Sequence, residues 1–152
     1  MLACCFTGHR VLSEAEQQNV LNTLNDKIQE IIDQGVTVFR NGGALGFDTL
    51  AALHILALKK KYPQIKLYMD LPHRGQAQHW TAEEQRVYEY ILACADKVTY
   101  VSDTYRAGCM QKRNRYMVDR SDYVIAYVRK VRSGSYYTAC YAESLEKNVI
   151  YL

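Results

Sequence analysis

Short apolar, β-branched runs alternate with helix-length segments along this chain. The runs are Leu2 to Thr7, Val36 to Arg40, Lys66 to Leu71, Lys97 to Val101, Tyr123 to Val128 and Val149 to Leu152. Most do not alternate strictly between apolar and polar. The run Val124-Ile125-Ala126-Tyr127-Val128 is nearly continuous, as expected of a strand covered on both faces. Between the first two runs, Val20, Leu21, Leu24, Ile28, Ile31 and Ile32 recur at helical spacing. Ser13 with Glu16 has the pattern of a capping box at the start of that helix, and Gly35 ends it. Residues 47–62 read as a mostly buried helix that stops before Pro63. Thr81 with Glu84 opens another, running to about Cys94, and residues 110–120 and 137–147 supply two more. This strict alternation predicts one α/β domain over residues 1–152, with a mainly parallel sheet and helices on both faces in three layers.

Composition narrows the class. At 152 residues, 49% hydrophobic and 23% charged, the chain has enough apolar material for one compact core and little room for a second. The longest apolar stretch, Leu50 to Leu58, contains His54 and is far shorter than the ~20 residues of a membrane span. Met1 runs straight into Leu2-Ala3-Cys4-Cys5-Phe6 with no basic start, so no signal peptide is expected. The five cysteines are odd in number and form no C-x-x-C, so neither a zinc site nor a disulfide framework is indicated, and a reducing cytosol is the expected compartment. Of the four histidines, His54 and His79 read as structural or surface residues, and no pair has metal-binding helical spacing. No metal and no required cofactor are expected.

In a parallel α/β sheet, ligands bind beyond the carboxyl ends of the strands, so the segments after strands carry the candidate chemistry. The first is Thr7-Gly8-His9-Arg10, where Gly8 allows a sharp turn and Arg10 fixes a positive charge. The second is Asn41-Gly42-Gly43-Ala44-Leu45-Gly46-Phe47-Asp48, whose three glycines before a helix suit close approach of an anion to backbone N–H groups. Asp48 reads either as a helix cap or as a partner for ribose hydroxyls. Asp70, ending the next run, stands where a dinucleotide fold would place its ribose-binding acid, but too little chain remains for a dehydrogenase substrate domain. The third is Ser133-Gly134-Ser135-Tyr136-Tyr137-Thr138, small and hydroxyl-rich before a helix. The fourth is the helix carrying Lys112, Arg113, Asn114 and Arg115, with Arg113 and Asn114 near its start.

Taken together, these segments resemble the YpsA-like branch of the SLOG superfamily. The matching pieces are Thr7 to Arg10, Gly42 to Asp48 followed by Ala51 and Ala52, Lys112 to Asp122, and Ser133-Gly134-Ser135 with Thr138, Ala142 and Glu143. The resemblance runs over nearly the whole chain in the same order. It implies a Rossmann-like fold that binds a nucleotide or a nucleotide-derived molecule of the NAD or ADP-ribose kind. The ligand-binding residues it suggests are Thr7, Gly8, His9, Arg10, Asn41, Gly42, Gly43, Gly46, Phe47, Asp48, Arg113, Asn114, Ser133, Gly134, Ser135 and Thr138. It also implies a homo-oligomer, dimer or higher, in the bacterial cytosol, as a bacterial protein or as a phage protein in its host.

The resemblance leaves three functions open. The first is a binding module acting as a sensor or by sequestering its ligand. Arg10, Arg113 and Arg115 suit phosphate, and Tyr105, Tyr116, Tyr136 and Tyr137 could stack on a base. An alternative is a hydrolase that cuts the N-glycosidic bond, like the LOG phosphoribohydrolases. The late glycine block here lacks their closely following Glu, which leaves Asp48 and Glu143 as catalytic candidates. A further alternative, ranked lower, is a single-stranded DNA binder like DprA, which shares the Gly43-x-x-Gly46-Phe47-Asp48 block. Charge bears on all three. The formal net charge of +3 hides an uneven split: residues 106–132 hold eight basic and two acidic side chains, and the rest of the chain is net acidic. A phosphate-bearing partner is therefore expected near that basic quarter.

Overall fold

A computed structural model describes all 152 residues. Six strands and five helices alternate without exception: β1 (Leu2–Gly8), α1 (Glu14–Asp33), β2 (Val36–Asn41), α2 (Phe47–Leu58), β3 (Lys66–Leu71), α3 (Ala82–Cys94), β4 (Lys97–Tyr100), α4 (Cys109–Asp119), β5 (Tyr123–Tyr127), α5 (Gly134–Ser144) and β6 (Asn148–Tyr151). The strands form one sheet in the order β4-β3-β2-β1-β5-β6, and every neighbouring pair is parallel. The chain steps outward from β1 to β4, crosses back to β5, and then steps the other way to β6. Right-handed crossovers therefore put α1, α2 and α3 on one face and α4 and α5 on the other. The packing agrees: α2 touches α1 and α3, whereas α4 packs against α5.

The larger core lies beneath α1–α3. Phe6, Phe39, Leu24, Ile28, Ile31, Phe47 and Ile55 are fully enclosed there, and Phe6 and Phe39 stack with centroids 6.0 Å apart. A smaller cluster of Cys5, Met117, Val118, Val124 and Ala142 holds α4 and α5 to the sheet. Both expected capping boxes form. Ser13 Oγ accepts from the Glu16 N–H at 3.1 Å, and Thr81 Oγ1 accepts from the Glu84 N–H at 3.2 Å. Gly35, at φ +104°, follows the end of α1.

Two helices differ from the sequence expectation. α2 ends at Leu58, and residues 59–62 close it with tighter turns before Pro63. α5 begins three residues earlier than the apolar pattern suggests, because Ser133 caps it by accepting the Tyr136 N–H at 3.2 Å. No helix is long and apolar enough to cross a membrane.

Candidate functional site

β1 and β5 are neighbours, but the chain leaves their carboxyl ends in opposite directions, towards β2 and towards β6. The divergence opens a crevice at this switch point. The cleft there has a volume of about 470 Å³. Gly8, His9 and Arg10 form one side, and Ser133, Gly134 and Ser135 at the start of α5 form another. The start of α4, from Gly108 to Asn114 without Lys112, and the preceding Tyr105 and Arg106 complete it. No carboxylate lines the cleft.

Two helix N-termini meet in this space. α4 starts from Gly108, held in the left-handed region at φ +80°, without a side-chain cap. The N–H groups of Met110 and Gln111 make no hydrogen bond within the chain, and neither do those of Gly134 and Ser135 in α5. Unpaired N–H groups and the positive ends of two helix dipoles therefore face one cavity.

Arg113 lies deepest. Its residue is 3% exposed, yet it forms no ion pair. Its Nη1 donates to the Gly42 carbonyl and, at 3.4 Å, to the Asp70 carbonyl, and its Nε donates to Asn114 Oδ1 at 2.9 Å. Nη2 makes no hydrogen bond. Burial pulls the Arg113 pKa down, and the nearby Asp48 charge opposes this. The result is a cation held at the cleft without a paired anion.

His9 ties the β1 loop to the other side. Its Nε2 accepts the Arg129 N–H at 2.6 Å, so the ring proton sits on Nδ1 and faces Ser135 Oγ at 3.3 Å. Burial, Lys130 and Arg129 lower its pKa. His9 is thus a neutral donor that orients Ser135. Ser135 Oγ in turn lies 3.2 Å from Ser133 Oγ.

Eight of the residues suggested by sequence come together at the cleft: Gly8, His9, Arg10, Arg113, Asn114, Ser133, Gly134 and Ser135. Thr138 lies one turn along α5, in a small adjoining pocket. The other seven do not line the cleft. Thr7 is buried in β1, and Asn41, Gly42, Gly43, Gly46, Phe47 and Asp48 form a layer behind it. The glycine loop uses its donors on itself: Asn41 Oδ1 accepts from the Gly43 N–H at 2.8 Å, and Asp48 Oδ2 accepts from the Ala44 N–H at 3.2 Å. Gly46, at φ +76°, lets the backbone pass against the Arg10 carbonyl, where a Cβ would collide. Phe47 N–H then donates to the His9 carbonyl at 3.0 Å. Burial pushes the Asp48 carboxyl up to about 6, against the opposing pull of Arg113.

The Asp70 carboxylate pairs with Arg40 at 3.0 Å across β2 and β3 and does not line the cleft; only the Asp70 carbonyl reaches Arg113. Glu143 is exposed and accepts from the Tyr151 hydroxyl, also away from the cleft. The cleft lining also includes Gly108, Cys109, Met110 and Gln111, which were not among the suggested ligand-binding residues. The available signal was the single Gly108 directly before a helix and just after Arg106. No group of three His, Cys, Asp or Glu side chains is arranged to hold a metal ion.

Comparison with known proteins gives the same frame. Residues 6–150 match the model of the YspA SLOG family, YpsA. The SPbeta prophage-derived protein YoqJ of Bacillus subtilis is 33% identical over 129 residues, which are 74% of this chain and 75% of YoqJ. A UPF0398 protein of Staphylococcus epidermidis is 29% identical over 80% of this chain and 66% of its own length. Among solved structures, DNA processing protein A from Helicobacter pylori, described for its single-stranded DNA binding mode, superposes with a TM-score of 0.67 at 21% identity. DNA processing protein A from Streptococcus pneumoniae superposes with a TM-score of 0.69 at 18% identity. Each covers 99% of this chain, which spans only 64% and 50% of those two proteins. This chain belongs to the YspA SLOG family, with the Rossmann-like fold of that superfamily.

Proposed function

We propose that this protein binds a nucleotide or nucleotide-derived ligand by seating its phosphate in the cleft, and that it acts by sensing or sequestering that ligand. The observation that carries this reading is Arg113, a buried guanidinium without an ion pair, beside two helix N-termini with free N–H groups. A planar cation and converging N–H donors suit the tetrahedral oxygens of phosphate. Arg10 and Arg106, both exposed at the rim, add positive charge. Isothermal titration against nucleoside monophosphates, NAD, ADP-ribose and cyclic ADP-ribose isomers tests it. Binding that weakens about ten-fold in Arg10→Ala, the loss of one charge-assisted hydrogen bond, is the expected result. Absence of binding at millimolar ligand would remove the reading.

A second reading makes that nucleotide part of a single DNA strand. Sequence alone ranked it low. The likeness to two DNA processing A proteins, one of them described binding single-stranded DNA, raises its standing. So does the exposed groove beside the cleft, lined by Lys112, Arg115, Tyr116 and Arg120, where Arg120 lies 3.5 Å over the Tyr116 ring. Fluorescence anisotropy with a labelled oligonucleotide at low salt separates strand from free nucleotide. Cleavage of the ligand stands behind binding, because Asp48 and Glu143 both lie outside the cleft. Chromatography of AMP and ADP-ribose after long incubation with the wild-type protein and Asp48→Asn tests it, and intact ligand is the expected recovery. Self-association, which the family resemblance suggests, is tested by light scattering, with a dimer mass expected.

A further inference from the structure

α4 and α5 follow β4 and β5 of an all-parallel sheet, so both run down from its carboxyl edge and both begin at the cleft. They pack side by side over the smaller core, through Met117, Val118 and Ala142. Packed helix axes lie about 8–10 Å apart, and the two starts stand at roughly that spacing. The free N–H groups of Met110 and Gln111 point along the axis of α4, and those of Gly134 and Ser135 along the axis of α5. A phosphate that accepts both free N–H groups of one start in line therefore sits over that axis, well to the side of the other.

Each start also carries its own buried side-chain donor. At α4 this is Arg113, whose Nη1 and Nε are taken by the Gly42 carbonyl and Asn114 Oδ1 while Nη2 has no partner. At α5 it is Ser135, only 7% exposed. Ser135 Oγ receives the His9 Nδ1 proton. Its neighbour Ser133 already gives its own proton to the Lys130 carbonyl at 2.8 Å and accepts the Tyr136 N–H. The Ser135 proton is thus the one left to turn into the cleft. The cleft, at about 470 Å³, has the size of a small-molecule site and room for more than one phosphate. No carboxylate opposes an anion at either start.

We propose that the cleft holds two phosphates of one ligand at once, one at the start of α4 beside Arg113 and one at the start of α5 beside Ser135. The proposal deepens the phosphate reading and rests on it. The ligand class is a molecule with two linked phosphates, and a monophosphate fills only one seat. The link is a shared oxygen in a diphosphate such as ADP-ribose, or a sugar in successive phosphates of a strand. Both present one anion to each helix start.

The test is calorimetric titration at pH 8 with AMP, ADP-ribose and the thymidine trinucleotide TpTpT. At that pH each carries about two negative charges, on one phosphate in AMP and on two in the others, so net charge does not rank them. ADP-ribose or TpTpT should bind about ten-fold tighter than AMP, the value of one charge-assisted hydrogen bond. Whichever of the two leads identifies the link. Two uncharged changes at α5 then locate the second seat. Gly134→Pro removes one free N–H at a first helical position that suits proline. Ser133 before it is already extended, and nothing lies within 4 Å of a Cβ at Gly134. Ser135→Ala removes the hydroxyl donor. Each should bring the affinity of the leading ligand towards that of AMP, with the fold checked by circular dichroism. If neither two-phosphate ligand exceeds AMP, the second seat is overturned and the phosphate site stands. An advantage over AMP that survives both variants would place the gain elsewhere and also overturn it. If none of the three binds at millimolar concentration, the phosphate reading fails and the second seat falls with it.

Discussion

Gly42 has no side chain because Arg113 occupies the space. A Cβ there would sit 2.5 Å from Arg113 Nη1 and 2.7 Å from Cζ. Gly42→Ala must push the guanidinium off the Gly42 carbonyl or distort the loop. Overpacking of this kind costs about 1–3 kcal/mol, to be read from urea denaturation, with ligand binding lost in the same variant. Asp48 makes a prediction in pH. Burial lifts its folded pKa from the ordinary 3.8 to about 6, so the folded state holds the proton where the unfolded state has released it. The stability this contributes is fully present below pH ~4 and is lost as pH rises through about 6. The effect over that range is roughly 3 kcal/mol. Asp48→Asn should flatten that slope in denaturation curves taken between pH 4 and 7. An unchanged slope would mean that the carboxyl is solvated.

At the scale of elements, local signals were legible and long-range ones were not. Ser13 with Glu16 and Thr81 with Glu84 announce their helices because both partners lie within one turn. The segment Ser133-Gly134-Ser135 looked like a loop, because hydroxyls and glycine disfavour a helix interior, yet Ser133 is the cap itself. The glycine loop at 41–48 was recognisable, but its orientation was not. Only the fold shows that Asn41 and Asp48 bind the N–H groups of Gly43 and Ala44 and that Arg113 covers Gly42, a contact across 71 residues. The same distance hid the cleft role of the α4 start, where backbone N–H groups rather than side chains are presented. The two serine caps give a paired test. Ser13→Ala and Ser133→Ala should each cost about 1 kcal/mol of stability. Only Ser133→Ala should also weaken ligand binding, since Ser133 Oγ meets Ser135 at the cleft. Thermal denaturation beside calorimetry separates the two effects.

Across the whole molecule, the basic quarter read from sequence divides into two kinds of charge. Arg113 is buried, while Arg106, Lys112, Arg115, Arg120, Arg129, Lys130 and Arg132 are exposed. The exposed set governs long-range attraction and is screened by salt, whereas Arg113 is shielded from it. If a single strand binds, log affinity should fall with log salt by about 0.7 per phosphate contacted. Replacing Lys112 and Arg120 by Glu should then weaken strand binding and flatten the slope by about one unit or more. A salt-independent affinity would exclude the strand.

The lone buried cation also bears on how long the protein lasts. Arg113 sits at the cleft without a direct ion pair, its desolvation only partly offset by the Asp48 and Asp70 charges, and that imbalance lowers the stability of the empty fold. Any phosphate that binds supplies the missing charge, and the folded state gains about 2.7 kcal/mol when free ligand reaches a hundred times its Kd. Occupancy and survival are then the same quantity. A nonspecific protease should degrade the empty protein faster than the loaded one, so the amount of intact chain in a cell would report the concentration of its ligand.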